Sequence, residues 1–148
     1  MTRSAQPLID AARAVASHAH APYSGFGVGA ALLLADGSII TGTNFENASY
    51  GLTLCAETVA LGNANSQGQL RNVIEIAVIG GRIGMDGIEG TDPVRPCGRC
   101  RQVIQEAAQL GGRDIIVHCA SADGKTVERH SASALLPYAF GPSDLGLV

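Results

Sequence analysis

Apolar positions change period several times along the chain, and each change marks a predicted element. Between Gln6 and Ala19, Leu8, Ile9, Ala12, Val15 and Ala16 recur at helical spacing, which predicts an amphipathic helix closed by His18 and His20. Asp10 and Arg13 interrupt any apolar run there, so the stretch does not read as a signal peptide. Pro22-Tyr23-Ser24-Gly25-Phe26-Gly27-Val28-Gly29 reads as a turn or loop. Its alternating glycines imitate a dinucleotide-binding fingerprint, but that pattern should follow a strand and open a helix. Here it follows a helix and opens an apolar run, which excludes it. Two strands come next, the continuously apolar Val28 to Ala35 and the β-branched Ile39 to Phe45, joined at Asp36-Gly37 as a hairpin.

Cys55 to about Asn65 reads as a helix, with Val59, Ala60, Leu61 and Ala64 on its apolar face and Gly68 beyond as a stop. A strand over Val73 to Ile79 is expected to end at Gly80-Gly81, followed by a glycine-rich loop from Arg82 to Thr91. Pro96 and Cys97 open a second long helix to about Leu110, stopped by Gly111-Gly112. A short strand over Ile115 to Cys119, an edge strand over Lys125 to Arg129, a short helix over Ser131 to Leu136 and a loop from Pro137 to Pro142 complete the pattern. This order predicts one α/β domain: a three-layer α/β/α sandwich around a five-stranded mixed sheet.

Composition narrows the class. The chain has 148 residues, 46% apolar and 16% charged, without repeats, linkers or low-complexity runs, as expected for one compact domain over residues 1–148. Four cysteines are too few for a disulfide framework in a chain this long, which points to a reducing, cytoplasmic setting. A net charge of −3 argues against a nucleic-acid polymer as partner, because neutralising phosphates needs a basic surface. No run is long enough to cross a membrane, so no membrane partner is expected.

The candidate chemistry lies in two stretches, Thr53-Leu54-Cys55-Ala56-Glu57 and Arg95-Pro96-Cys97-Gly98-Arg99-Cys100. Zinc takes four tetrahedral ligands, and a catalytic site supplies three from protein and keeps one position open. Cys55, Cys97 and Cys100 make three thiolate ligands, each near the start of a predicted helix, where unpaired N–H groups favour thiolate over thiol. Glu57, two residues from Cys55, is placed to carry protons beside the open position. His118 and Cys119 read as ordinary strand residues. Phe26 reads either as core or as a pocket wall. Asn44 and Glu46, two apart on an extended segment, share one side; they read either as solvated strand-end residues or as a grip on a diol.

Cys55-Ala56-Glu57 with Pro96-Cys97-Gly98-Arg99-Cys100 fits the nucleobase-deaminase pattern in which Cys replaces the first His. Together with Pro22 to Phe26, Asn44 to Tyr50 and Phe140-Gly141-Pro142, it makes nearly the whole chain resemble the small zinc-dependent cytidine deaminases of nucleoside salvage. That resemblance implies hydrolysis of cytidine or 2'-deoxycytidine to the uracil nucleoside and ammonia. Water activated on Zn2+ would attack C4, with Glu57 as the proton shuttle. It further implies that Phe26 stacks near the base, that Asn44 and Glu46 bind ribose hydroxyls, and that the backbone at Ala56 contacts the base. The family is typically a homotetramer with composite sites, so Ala48, Tyr50 and Phe140 would reach a neighbouring subunit's ligand.

Two departures stand out. Small cytidine deaminases commonly follow the catalytic Glu with Arg, where this chain has Thr58, and commonly have Ala where it has Arg99. Three thiolates leave a dication with a net charge of about −1, which blunts the acidity of bound water. Arg99 either restores a positive charge beside the thiolates or points to solvent. The run Cys97 to Gln102 also resembles blasticidin S deaminases, which act on a cytosine antibiotic. A zinc-stabilised binding module without catalysis is the alternative of another class; it needs a saturated metal and gives Glu57 no role.

Overall fold

A computed structural model describes residues 3–148. Helix α1 (Gln6–Ala16) precedes strands β1 (Phe26–Leu34) and β2 (Ile39–Thr43). Helix α2 (Ala56–Ser66), strands β3 (Val73–Gly84) and β4 (Gly87–Glu89), helix α3 (Gly98–Gly111), strands β5 (Ile116–Ser121) and β6 (Val127–Ser131) and the short helix α4 (Ala132–Leu135) follow. Five strands form the main sheet in the order β2-β1-β3-β5-β6, and β4 pairs only with the far end of β3. β3 and β5 are parallel and every other pairing is antiparallel, so the sheet is mixed as expected.

The three layers follow from the alternation of side chains along β1. Ala30, Leu32 and Leu34 face α2 and α3 in one apolar cluster with Ala60, Leu61 and Ile104. Ala31 and Leu33 face the other way, against Leu8, Ile9 and Ala12 of α1. A strand covered on both faces reads as a continuous apolar run, which is why Val28 to Ala35 shows no alternation in sequence. Helices sit unusually close to this sheet. A Cβ at Gly29 would collide with the Ala12 carbonyl of α1, and one at Gly42 would collide with the backbone of Ala60 in α2.

Several boundaries differ from the expectation, each for a local reason. Helix α1 stops at Ala16, because the Ser17 hydroxyl donates back to the Ala14 carbonyl and Ser17 becomes the cap. His18 and His20 therefore lie beyond it, and His20 instead bridges to Phe45. β1 starts at Phe26, so Gly27 is a strand residue rather than part of the loop. Gly80-Gly81 does not end β3: the pair stays in register with Val28 and Gly27. Those glycines are there for close approach, since a Cβ at Gly81 would strike the Glu89 carbonyl and Ala122. The expected loop over 82–91 is thus a hairpin in which β3 runs to Gly84 and returns as β4. β6 lies two residues later than expected. The stop of α3 is as expected, with Gly112 in the left-handed conformation at φ 66°.

Candidate active site

Two helix N-termini meet at one end of the sheet. Cys55 caps α2 and Cys97 caps α3, both in extended conformation, and Glu57 and Cys100 lie in the first turns. A pair of backbone hydrogen bonds between Phe45 and Leu54, each 2.9 Å, closes the loop between them and sets Cys55 beside the end of β2. The Sγ atoms of Cys55, Cys97 and Cys100 all lie within 4.8 Å of one another. The Cys55–Cys97 separation is 3.7 Å. Tetrahedral zinc with Zn–S bonds of about 2.3 Å requires sulfurs about 3.8 Å apart, so the trio fits the ion in both chemistry and spacing. Among the described residues no fourth Cys, His, Asp or Glu joins this group. A closed structural zinc site would need one.

The electrostatics divide the roles. The Cys55 thiol is lowered to about 6, first by its hydrogen bond with Cys100, then by Cys97 and by the nearby Arg99 guanidinium. The Cys100 thiol is pushed up by the same shared hydrogen bond and by burial. A dication would draw the remaining protons from such a set. Glu57 is only 3% exposed, and burial pushes its carboxyl above the ordinary range, with the charge of Cys55 adding to the effect. Thr58, which sequence reading treated only as a missing arginine, places its hydroxyl 3.3 Å from the Cys100 sulfur. Its position three residues after a ligand, in the same helical turn, was the available signal. Arg99 is exposed, but its Nη2 donates to the Thr53 carbonyl at 2.9 Å, which holds its charge near Cys55.

A cavity of about 210 Å³ opens beside the trio, with Asn44, Cys55, Ala56, Glu57 and Cys97 among its lining residues. Arg95 stands at its wall, held by paired bonds of 2.8 and 2.6 Å to Glu128. Phe26 lies next door, lining a second depression that shares Val94 with the first. It is 40% exposed and its ring passes over Gly80, so it is a wall and not a core residue. Asn44 and Glu46 are not free, solvated groups. The Asn44 amide accepts from the Val28 N–H and donates to the Phe26 carbonyl, bracing the start of β1. One Glu46 oxygen accepts from the backbone N–H groups of Tyr23 and Ser24, and the other accepts from the Ser24 hydroxyl. These bonds, the hydroxyl first, hold its carboxyl below the usual range. Glu46 and Tyr50 line a third depression, which meets the first at Thr53.

The single chain does not bring every candidate together. Ala48 is exposed in the loop between Glu46 and Thr53. Phe140 is exposed on the C-terminal segment, where Gln102 of α3 holds its carbonyl at 2.7 Å. Cys119 is buried in the core, its thiol raised to about 11 by burial, and His118 pairs with Glu75 at 3.0 Å; neither belongs to the trio.

Comparison with known proteins agrees with this geometry. A cytidine deaminase of Halalkalibacterium halodurans is 45% identical over 140 residues, covering 95% of this chain and 96% of that protein. A cytidine deaminase of Mycobacterium tuberculosis is 41% identical over 132 residues, covering 88% and 84%. The crystal structure of cytidine deaminase from Burkholderia pseudomallei superposes with a TM-score of 0.79 at 43% identity, covering 93% of this chain and all of that one. Residues 2–119 match the sequence profile of the cytidine and deoxycytidylate deaminase zinc-binding region, and with both halves of the metal motif folded into one site, the chain belongs to that family.

Proposed function

We propose that this chain hydrolyses cytidine and 2'-deoxycytidine to uridine and 2'-deoxyuridine with release of ammonia. The observation that carries this reading is the open three-thiol cluster at two helix N-termini, with a buried carboxyl in the first turn of α2 and a small cavity beside it. The cavity falls below the roughly 300–1,000 Å³ typical of drug-sized ligands, which suits a single heterocycle.

Cys55, Cys97 and Cys100 are the residues that would hold zinc. When bound, the ion supplies Lewis-acid polarisation and lowers the pKa of water to about 7. Glu57 would take one proton from the attacking water and pass it to ring N3, then take the second from the hydroxyl left on C4 and pass it to the departing amine, which leaves as ammonia. Its burial raises its affinity for a proton, which suits a group that must take protons up as well as give them away. The backbone at Ala56 orients the base and Phe26 walls the pocket. Asn44 retains a second amide N–H, and one Glu46 oxygen retains a lone pair; these are the groups for sugar hydroxyls. Arg99 and Thr58 temper the negative charge of the thiolates from two sides.

The same reading covers assembly and setting. The chain is one domain that forms a homotetramer, with Ala48, Tyr50 and Phe140 completing a neighbour's site. It works in the cytoplasm on free nucleosides for pyrimidine salvage. Assaying the zinc-loaded protein on cytidine, 2'-deoxycytidine and blasticidin S by loss of ultraviolet absorbance tests the reading. Turnover of both nucleosides is expected. Turnover of blasticidin S alone would reassign the substrate, and no ammonia from any of the three would end the proposal.

A further inference from the structure

We propose that Ser24 is a positioning residue that aims Glu46 at a sugar hydroxyl, so that discrimination by the sugar depends on the Ser24 hydroxyl as well as on Glu46. This rests on the reading of Glu46 given above.

Ser24 lies in the tight loop before β1, where its hydroxyl serves two partners. It donates to one oxygen of Glu46 and accepts from the N–H of Phe26 at 3.1 Å. The other Glu46 oxygen accepts two backbone bonds, from Tyr23 at 2.9 Å and Ser24 at 3.2 Å. A carboxylate oxygen accepts about two hydrogen bonds, so three of the four acceptor sites are taken. The one that remains is on the oxygen Ser24 holds. The hydroxyl therefore fixes both the rotation of the carboxylate and the direction of its last free lone pair. Glu46 is buried at 8% exposure and lines the depression that meets the Cys55 cavity at Thr53, so the residue stands next to the proposed base pocket.

The loop does not depend on this hydroxyl for its existence. Gly25 donates to the Ala21 carbonyl at 3.0 Å and Ile83 donates to the Gly25 carbonyl at 2.8 Å. The Tyr23 and Ser24 N–H bonds to Glu46 survive removal of the side chain, and the exposed Phe26 N–H can turn to water. Ser24→Ala should thus leave the Phe26 wall and the metal cluster in place while letting the second Glu46 oxygen swing about the one that the backbone still holds.

The test compares kcat/KM on cytidine and on 2',3'-dideoxycytidine, which lacks the hydroxyls in question. For Ser24→Ala we expect a loss of about ten-fold on cytidine, carried mainly by KM, which is the scale of one charge-assisted hydrogen bond. The loss on dideoxycytidine should stay within about two-fold, the scale of one exposed bond exchanged for water. Ser24→Thr keeps the hydroxyl and should restore cytidine turnover. In a Glu46→Gln background the Ser24→Ala substitution should have little further effect on either substrate. Equal losses on both substrates in Ser24→Ala would overturn the positioning role and leave the deaminase reading intact. Wild-type protein that does not distinguish the two substrates would remove the Glu46 contact, and the role of Ser24 with it. Failure of wild type to turn over any cytosine nucleoside would defeat the function itself.

Discussion

Glu57 is the residue on which the proposed chemistry turns. It sits in the first turn of α2, where free N–H groups surround it, yet burial outweighs them and raises its pKa. Glu57→Gln keeps the shape and removes the proton carrier. Turnover should fall by about 10²–10⁴-fold while zinc content stays at one ion per chain by atomic emission; near-normal turnover would end this mechanism. Glu46 makes a different prediction, for stability. Its carboxyl is held below the ordinary 4.5 by the Ser24 hydroxyl and by two backbone N–H groups. A depressed folded pKa means that stabilisation is fully present above the unfolded value and is lost as pH falls through the folded one. Urea denaturation should therefore show wild type losing stability more steeply than Glu46→Gln as pH falls below about 4.5. Parallel curves would show that the clamp contributes nothing.

At the scale of elements, the site exists because α2 lies nearly against β2. Gly42 makes that possible: a Cβ there would meet the backbone nitrogen of Ala60, and no side chain at the contact can rotate away. Gly42→Ala should push α2 outward and cost about 1–3 kcal/mol, the usual range for overpacking a tight core. For a chain of this size that is a fall of several degrees in Tm. Since Cys55 and Glu57 ride on the same helix, zinc retention against a chelator should weaken as well. An unchanged melting curve would mean that the two elements separate freely.

For the whole molecule, the informative feature is apolar surface left uncovered around the site. Phe45, Tyr50 and Leu52 are 53%, 73% and 65% exposed, all on or next to the loop that Phe45 and Leu54 close, and Tyr23 packs edge-on against Tyr50. Large apolar side chains concentrated in this way mark an interaction surface, which supports the proposed assembly. Leu52→Asp should reduce the particle to a smaller species by light scattering and depress turnover together with it. Full-sized particles with full turnover would place the subunit contacts elsewhere.

Sequence alone marked the two halves of the metal motif, the carboxyl beside one of them and most of the elements, because each is encoded locally. Two cysteines at i and i+3 share a helical turn whatever surrounds them, Pro96 and Gly112 bound α3 by their own backbone preferences, and a doubly covered strand announces itself as an apolar run. Tertiary structure decided what depends on residues far apart in the chain. Cys55 and Cys97 are 42 positions apart and meet only because two helices end at one edge of the sheet. Gly80-Gly81 signals a turn until the neighbouring strands show why no Cβ fits. Asn44 and Glu46 looked solvated by spacing alone; bonds to the start of β1 and to the loop before it hold them in place, and no local pattern carries that information.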